Sequence, residues 1–221
     1  MAQIAEDLFL LLLDNASAQP GLDRGRRERV LTGAVLLDLA HACRIRPAMP
    51  GEPIETGRLV ALSAPGPMDP VAAPAFELLQ RRPLRPATAV KRLSKHTEEN
   101  LANYLEYTGQ IRRVRLNSKR FGHAYAWPLI NRDRVAHARA ALLAALFDRR
   151  PPAPPTAAII SLLHAVDGLG ALLSLNDRGW RWVHARAGEI AMGSWVDEYP
   201  TALPEVNLAI TASAVRGALA S

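Results

Sequence analysis

The sequence predicts a mainly α-helical protein carrying one β-hairpin. Three observations lead there. Apolar residues recur at the three- and four-residue spacing of a helix in most segments. Proline and glycine clusters separate those segments. Only one stretch, residues 110–129, reads as two short strands and a turn. With 221 residues, 49% apolar and 22% charged, the chain has ordinary globular composition and can bury a real core.

The elements follow in order. Ile4, Leu8, Leu11 and Leu12 share one helical stripe, which predicts a first helix over residues 3–14. Pro20, Gly21 and Gly25 punctuate the loop after it. Residues 27–43 are apolar around nearly the whole circumference, through Val30, Leu31, Ala34, Val35, Leu37 and Leu39. Such a helix is central, wrapped by others, and is expected to be the most buried segment. Gly33 inside it costs about 1 kcal/mol of helix propensity against Ala, which a close helix crossing would explain. Residues 44–68 are loop-like, with a short strand at 58–62. Asp69 and Pro70 open a short helix.

A further helix starts near Thr88. Residues 95–107 form another, with Leu101, Tyr104 and Leu105 inward and Gly109 as its stop. The hairpin places Ile111, Val114 and Leu116 on one arm and Tyr125 and Trp127 on the other. Residues 132–148 form an amphipathic helix with Val135, Ala138, Leu142 and Leu146 inward and Arg132, Arg134 and Arg139 outward. "DRRPPAPPT" is a stiff linker before an apolar helix from Ala157 to Val166. The run Asp167-Gly168-Leu169-Gly170 interrupts that helix. Residues 178–193 and 205–219 are the last helices.

Little in this pattern carries catalysis. None of the six histidines pairs with another at the four-residue spacing of helical metal sites, and no phosphate-loop, nucleophile-elbow or dinucleotide fingerprint appears. His41 and His164 read as satisfied core histidines. Asp38, on the most apolar helix, reads as a structural acid paired with an arginine or a backbone amide. Cys43, the single cysteine, cannot form an intramolecular disulfide and reads as a small buried apolar residue. No catalytic residue, metal or cofactor is expected. Acidic Glu6 and Asp7 stand where a signal peptide would carry positive charge, and no run approaches the roughly 20 apolar residues that span a bilayer. The expected place is therefore the cytoplasm, free or peripherally on the cytoplasmic membrane face.

Charge is the remaining signal. The net charge is +6, which favours polyanionic partners, although an Arg- and Ala-rich composition would produce it too. Residues 110–150 hold ten basic residues against two acids, Asp133 and Asp148. A second cluster, Arg24, Arg26, Arg27 and Arg29, opens the central helix, where free N–H groups and the helix dipole favour a phosphate. In the hairpin, Arg112, Arg113, Arg115, Lys119 and Arg120 are cationic, and Phe121, Tyr125 and Trp127 are expected on one face. That face packs on the domain, touches a membrane, or joins a second subunit. A helix, a "GQI" break and a basic two-stranded wing also fit a DNA-binding winged helix. Glu98, Glu99 and Glu106 would then face phosphates, so a DNA-binding regulator ranks second to a lipid-surface protein.

The order of elements resembles the Golgi phosphoprotein family. "EDLFLLLLD", then "LTGAVLLDLAHACRI", then "ENLANYLEYTGQI" and "ARAALLAALFDRRPPAPPTAAIISLLHAVDGLGALL" carry the resemblance, from about Ile4 to Leu219. It implies a single domain over 1–221, a central helical bundle ringed by amphipathic helices with one protruding β-hairpin. It also implies a non-enzymatic peripheral membrane adaptor that binds phosphatidylinositol 4-phosphate, holds membrane enzymes by their tails, and forms homo-oligomers through the hairpin. The family's headgroup positions, a Trp and three Arg, fall on Asp23, Thr32, Lys95 and Glu98, so only Lys95 keeps the charge. The expected phospholipid site is accordingly Arg24, Arg26, Arg27, Arg29 and Lys95. The expected membrane or oligomer surface is Arg115, Lys119, Arg120, Phe121, Tyr125 and Trp127. The composition suggests a bacterial relative.

Overall fold

In the computed structural model, which describes residues 3–116, 124–195 and 203–220, helix accounts for 61% of the chain. The mainly α expectation therefore holds. Helix α1 (Gln3–Leu13) leads into α2 (Arg24–His41), which packs against α1, α4 (Pro86–Tyr107), α6 (Pro154–Ala165) and α8 (Leu203–Ala220). Every residue from Val30 to Ala40 of α2 is buried. The chain crosses closely at Gly33: a Cβ there would stand 2.9 Å from Leu162 Cδ2 and 3.2 Å from Val215 Cγ1. Three helices converge on that point, which explains the glycine.

Helix α1 is enclosed even more completely than α2, because all residues from Ile4 to Leu13 are buried. That includes the acids Glu6 and Asp7. Helix α5 (Arg132–Phe147) covers them. Arg134 donates to Asp7 Oδ1 at 2.7 Å and to Glu6 Oε2 at 2.6 Å, and Arg139 donates to Asp14 Oδ2 at 2.9 Å. Arg134 and Arg139 therefore do not point to solvent as expected. Buried carboxylates need a counterion, and that requirement overrides apolar periodicity on α5.

Asp38 of α2 closes the start of α1. Its carboxylate accepts the backbone N–H groups of Ile4 and Ala5, each at 2.9 Å. Those donors have no partner inside their own helix. The acid is the backbone-paired structural residue the sequence anticipated. Burial pushes its pKa well up, while the two amides pull it down.

The remaining elements are local. Strand β1 (Ile45–Pro47) pairs antiparallel with β2 (Leu59–Ala61), in the register Arg46↔Val60. The strand near 58–62 was legible, but its partner was not. Helix α3 (Ala73–Arg81) follows an Asp69 turn whose side chain accepts Val71 N–H at 2.9 Å. The two helices expected over 88–107 are one helix, α4. Its polar middle is satisfied by Thr97, which donates to the Leu93 carbonyl at 2.9 Å and meets Thr32 Oγ1 at 3.1 Å. Gly109, at φ +71°, ends the helix as expected. Strands β3 (Val114–Leu116) and β4 (Ala124–Ala126) form the hairpin, and Ile111 bridges to Leu129 beneath it. Helix α7 (Asp177–Ala191) packs on α6 after a short 3-10 turn at Leu169–Ala171. Cys43 is free and only half-buried, at φ +52° just past α2, so it is not the buried packing residue expected.

Candidate functional site

The four arginines at the start of α2 do not act together. Asp23 caps the helix by accepting Arg26 N–H at 3.1 Å. Arg24 and Arg27, three residues apart, share one face and look toward α4. Arg24 Nε donates to Glu28 at 2.6 Å, and Arg27 Nε lies 2.9 Å from Glu98 Oε2. Arg26 turns the other way. It pairs with Asp23, holding that carboxyl below its usual range, and donates to the Asp167 carbonyl at 3.1 Å. Arg29 reaches the Leu219 carbonyl at 3.2 Å. The helical period thus separates Arg26 and Arg29 from the pair they were grouped with.

Arg24, Arg27 and Lys95 meet in a cleft of about 350 Å³, with Arg113, Tyr125 and Trp127 of the hairpin as the opposite wall. Lys95 is exposed and carries no ion pair among the described residues. Glu28, Glu98 and Glu99 also line the cleft, so its arginines are held against carboxylates. Of the four positions marked by the family resemblance, Lys95 alone presents a cation. Asp23 caps α2, Thr32 is buried against Thr97, and Glu98 pairs with Arg27.

The described part of the hairpin leans on the domain. The Tyr125 and Trp127 rings lie 6.3 Å apart, and Trp127 meets Phe9 edge-on at 6.3 Å. The Trp127 backbone N–H donates to the Ala18 carbonyl at 2.7 Å, and Gln19 Nε2 donates to the Tyr125 carbonyl at 3.2 Å. Arg113 lies over the Tyr125 ring at 5.5 Å. Arg112 is exposed beside it, and Arg115, also exposed, stands opposite Tyr125 in the strand register. Lys119, Arg120 and Phe121 lie outside the described residues.

Polar donors gather around this cleft. The Trp127 Nε1–H is buried with no acceptor among the described residues, and the Nε–H groups of Arg27 and Arg113 face Glu98 and Glu106, at 2.9 and 3.5 Å, without an aligned hydrogen bond. Sequence reading missed Trp127 as a cleft wall and Arg113 as its neighbour. It also missed the Arg27–Glu98 pair, because the partners are 71 positions apart (98 − 27) and no local pattern links them.

Elsewhere, His164 and His184 tilt together across α6 and α7, with ring centroids 5.8 Å apart. Burial, then His184 and Arg216, depress the His164 pKa. His164 is half-buried and its Nδ1 lacks a partner among the described residues, and His41 is half-buried as well, so neither is the satisfied core histidine expected. Among the described residues no three His, Cys, Asp or Glu side chains gather as metal ligands, and no helix is long and apolar enough to cross a membrane.

Residues 4–203 match the family model described as Golgi phosphoprotein 3 (GPP34). No curated protein matches the chain.

Proposed function

The chain belongs to the Golgi phosphoprotein 3 (GPP34) family, and on that premise we propose that it is a non-enzymatic adaptor that docks peripherally on an anionic phospholipid surface. One observation supports the cleft as the headgroup site. Arg24, Arg27 and Lys95 converge in it and face the Trp127 ring across it. Two arginines at a helix start are well placed for the phosphate oxygens, and the Trp127 ring closes the opposite side. For Arg24 and Arg27 this means exchanging glutamate oxygens for phosphate oxygens. The headgroup implied by the family is phosphatidylinositol 4-phosphate, with Trp127 and Arg27 in place of the family's Trp and first Arg. Tails of membrane enzymes are the implied cargo, and the hairpin is the implied route to a homo-oligomer.

Co-sedimentation with vesicles, run beside a DNA gel shift at the same salt, tests the reading. We expect retention on anionic vesicles, ordered by headgroup across a lipid panel, and its loss as salt screens the charges. Arg24→Ala removes one of those charges and should flatten the headgroup ordering. DNA retention with no vesicle binding would sink the proposal.

A further inference from the structure

A less neutralised positive surface lies beside the cleft. From Leu78 to Thr97 the sequence holds no acid, and Arg81, Arg82, Arg85, Lys91, Arg92 and Lys95 are all exposed. Arg85 is tied to Glu55. The other five carry no ion pair among the described residues. The cleft arginines contrast with them: Arg24, Arg27 and Arg113 already face Glu28, Glu98 and Glu106. Lys91, Arg92 and Lys95 share the outer face of α4, at i, i+1 and i+4, while Ala89, Val90 and Thr97 fill its buried face. Arg81 and Arg82 extend the patch from the end of α3, which packs on α4. Lys95 belongs to both patch and cleft, so the two are continuous.

We infer that this patch is a charge-density sensor that holds the protein on any sufficiently anionic bilayer, singly charged lipids included. The inference rests on the lipid-surface reading and adds a division of labour. The patch supplies attraction and the cleft supplies headgroup preference. Uncompensated exposed cations near a membrane act through its surface potential, which needs no stereochemistry. A bilayer fits better than a duplex. Glu98, Glu99 and Glu106 continue along the same helix, and a groove that took α4 would bring them against phosphates. A bilayer can meet the first half of the helix and the end of α3 alone.

The test uses the full chain and phosphatidylcholine vesicles carrying increasing fractions of phosphatidylglycerol. Binding should rise steeply with that fraction and fall with salt. Each neutralised patch cation should weaken it about fivefold, so Lys91→Ala with Arg92→Ala should weaken it about 25-fold. Both sites are exposed, and an unchanged circular dichroism melt confirms folding. If the double variant binds as the parent does, the patch inference is overturned and the cleft reading stands. A parent that discriminates headgroups but ignores phosphatidylglycerol at every fraction would overturn it equally. If the parent ignores all anionic vesicles, both readings fall. Tighter retention of duplex DNA than of vesicles, lost in the double variant, reassigns the patch to nucleic acid and overturns the inference.

Discussion

Arg134 and Arg24 make the same chemical contact, a guanidinium on a glutamate at 2.6 Å, in opposite surroundings. Arg134 bridges two acids on the most enclosed helix, where Glu6 is 7% and Asp7 12% exposed. Arg24 is 80% exposed on the rim of the cleft. The difference shows what burial does to an ion pair. In the first case neither partner can be released without stranding a charge in low dielectric, so the pair is part of the fold. In the second, water and salt compete freely and the pair is worth little to stability. Its arginine can therefore exchange one oxyanion for another, as a headgroup site requires.

The largest expected effect breaks the buried half of that comparison. Arg134→Ala leaves Glu6 and Asp7 buried without their cation and should cost about 3 kcal/mol by urea unfolding at neutral pH. The pH dependence identifies the cause. Burial raises both carboxyl pKa values, and Arg134 lowers them. A folded-state pKa above the unfolded value means that the folded state binds more protons within that window, so stability rises as pH falls through it. Removing Arg134 widens the window upward. The gap between variant and parent should thus narrow on acidification toward the ordinary carboxylate range. A gap that stays constant would mean that lost packing, not stranded charge, sets the cost.

A smaller effect sharpens the same half. Asp38 sits as deep as Glu6, yet backbone amides balance it instead of an arginine. Asp38→Ala leaves two α1 donors without acceptors and should cost about 2 kcal/mol. Asp38→Asn retains one acceptor and removes the buried charge, so it should cost less than half as much. Hydrogen exchange should show the loss of protection at Ile4 and Ala5. Equal costs for the two variants would show that the charge itself holds the end of α1.

Much of the fold was legible, because apolar periodicity and Gly–Pro punctuation are local. Residues 27–43 could be recognised as central from composition alone, and Gly33 as a crossing point from its misfit in a helix. Two kinds of feature escaped. Arg134 and Arg139 read as solvent-facing because Val135, Ala138, Leu142 and Leu146 suggested an apolar stripe on the other face of α5; what turns them inward is Glu6, Asp7 and Asp14, more than a hundred residues away. Residues 95–107 read as a helix separate from the one starting near Thr88, and the Thr32 contact that satisfies the polar middle of the single helix α4 is again non-local. The candidate site divides in the same way. Arg24, Arg27 and Lys95 could be named from charge and position. Trp127 as the facing wall, and the glutamates that hold the arginines, needed three dimensions.

The smallest effect on stability tests the exposed half, and it uses two arginines that differ in role but stand only two residues apart in sequence. Arg24 lines the cleft; Arg26 packs against the corner after α6 and makes the short contact with Asp23. Arg24 is exposed and Arg26 half-buried with its pair to Asp23 open to solvent, so Arg24→Ala and Arg26→Ala should each change unfolding free energy by less than about 1 kcal/mol. Their effects on lipid discrimination should differ. Arg24→Ala removes a charge that a headgroup phosphate would meet, and should lower preference for a phosphoinositide vesicle over a phosphatidylglycerol vesicle about fivefold. Arg26→Ala should leave that preference unchanged, because its guanidinium faces backbone carbonyls on the far side of the helix start. Equal losses would return the four arginines to one diffuse basic cluster, and the cleft would then have no separate role. A loss confined to Arg26→Ala would move the headgroup site to the α6 corner.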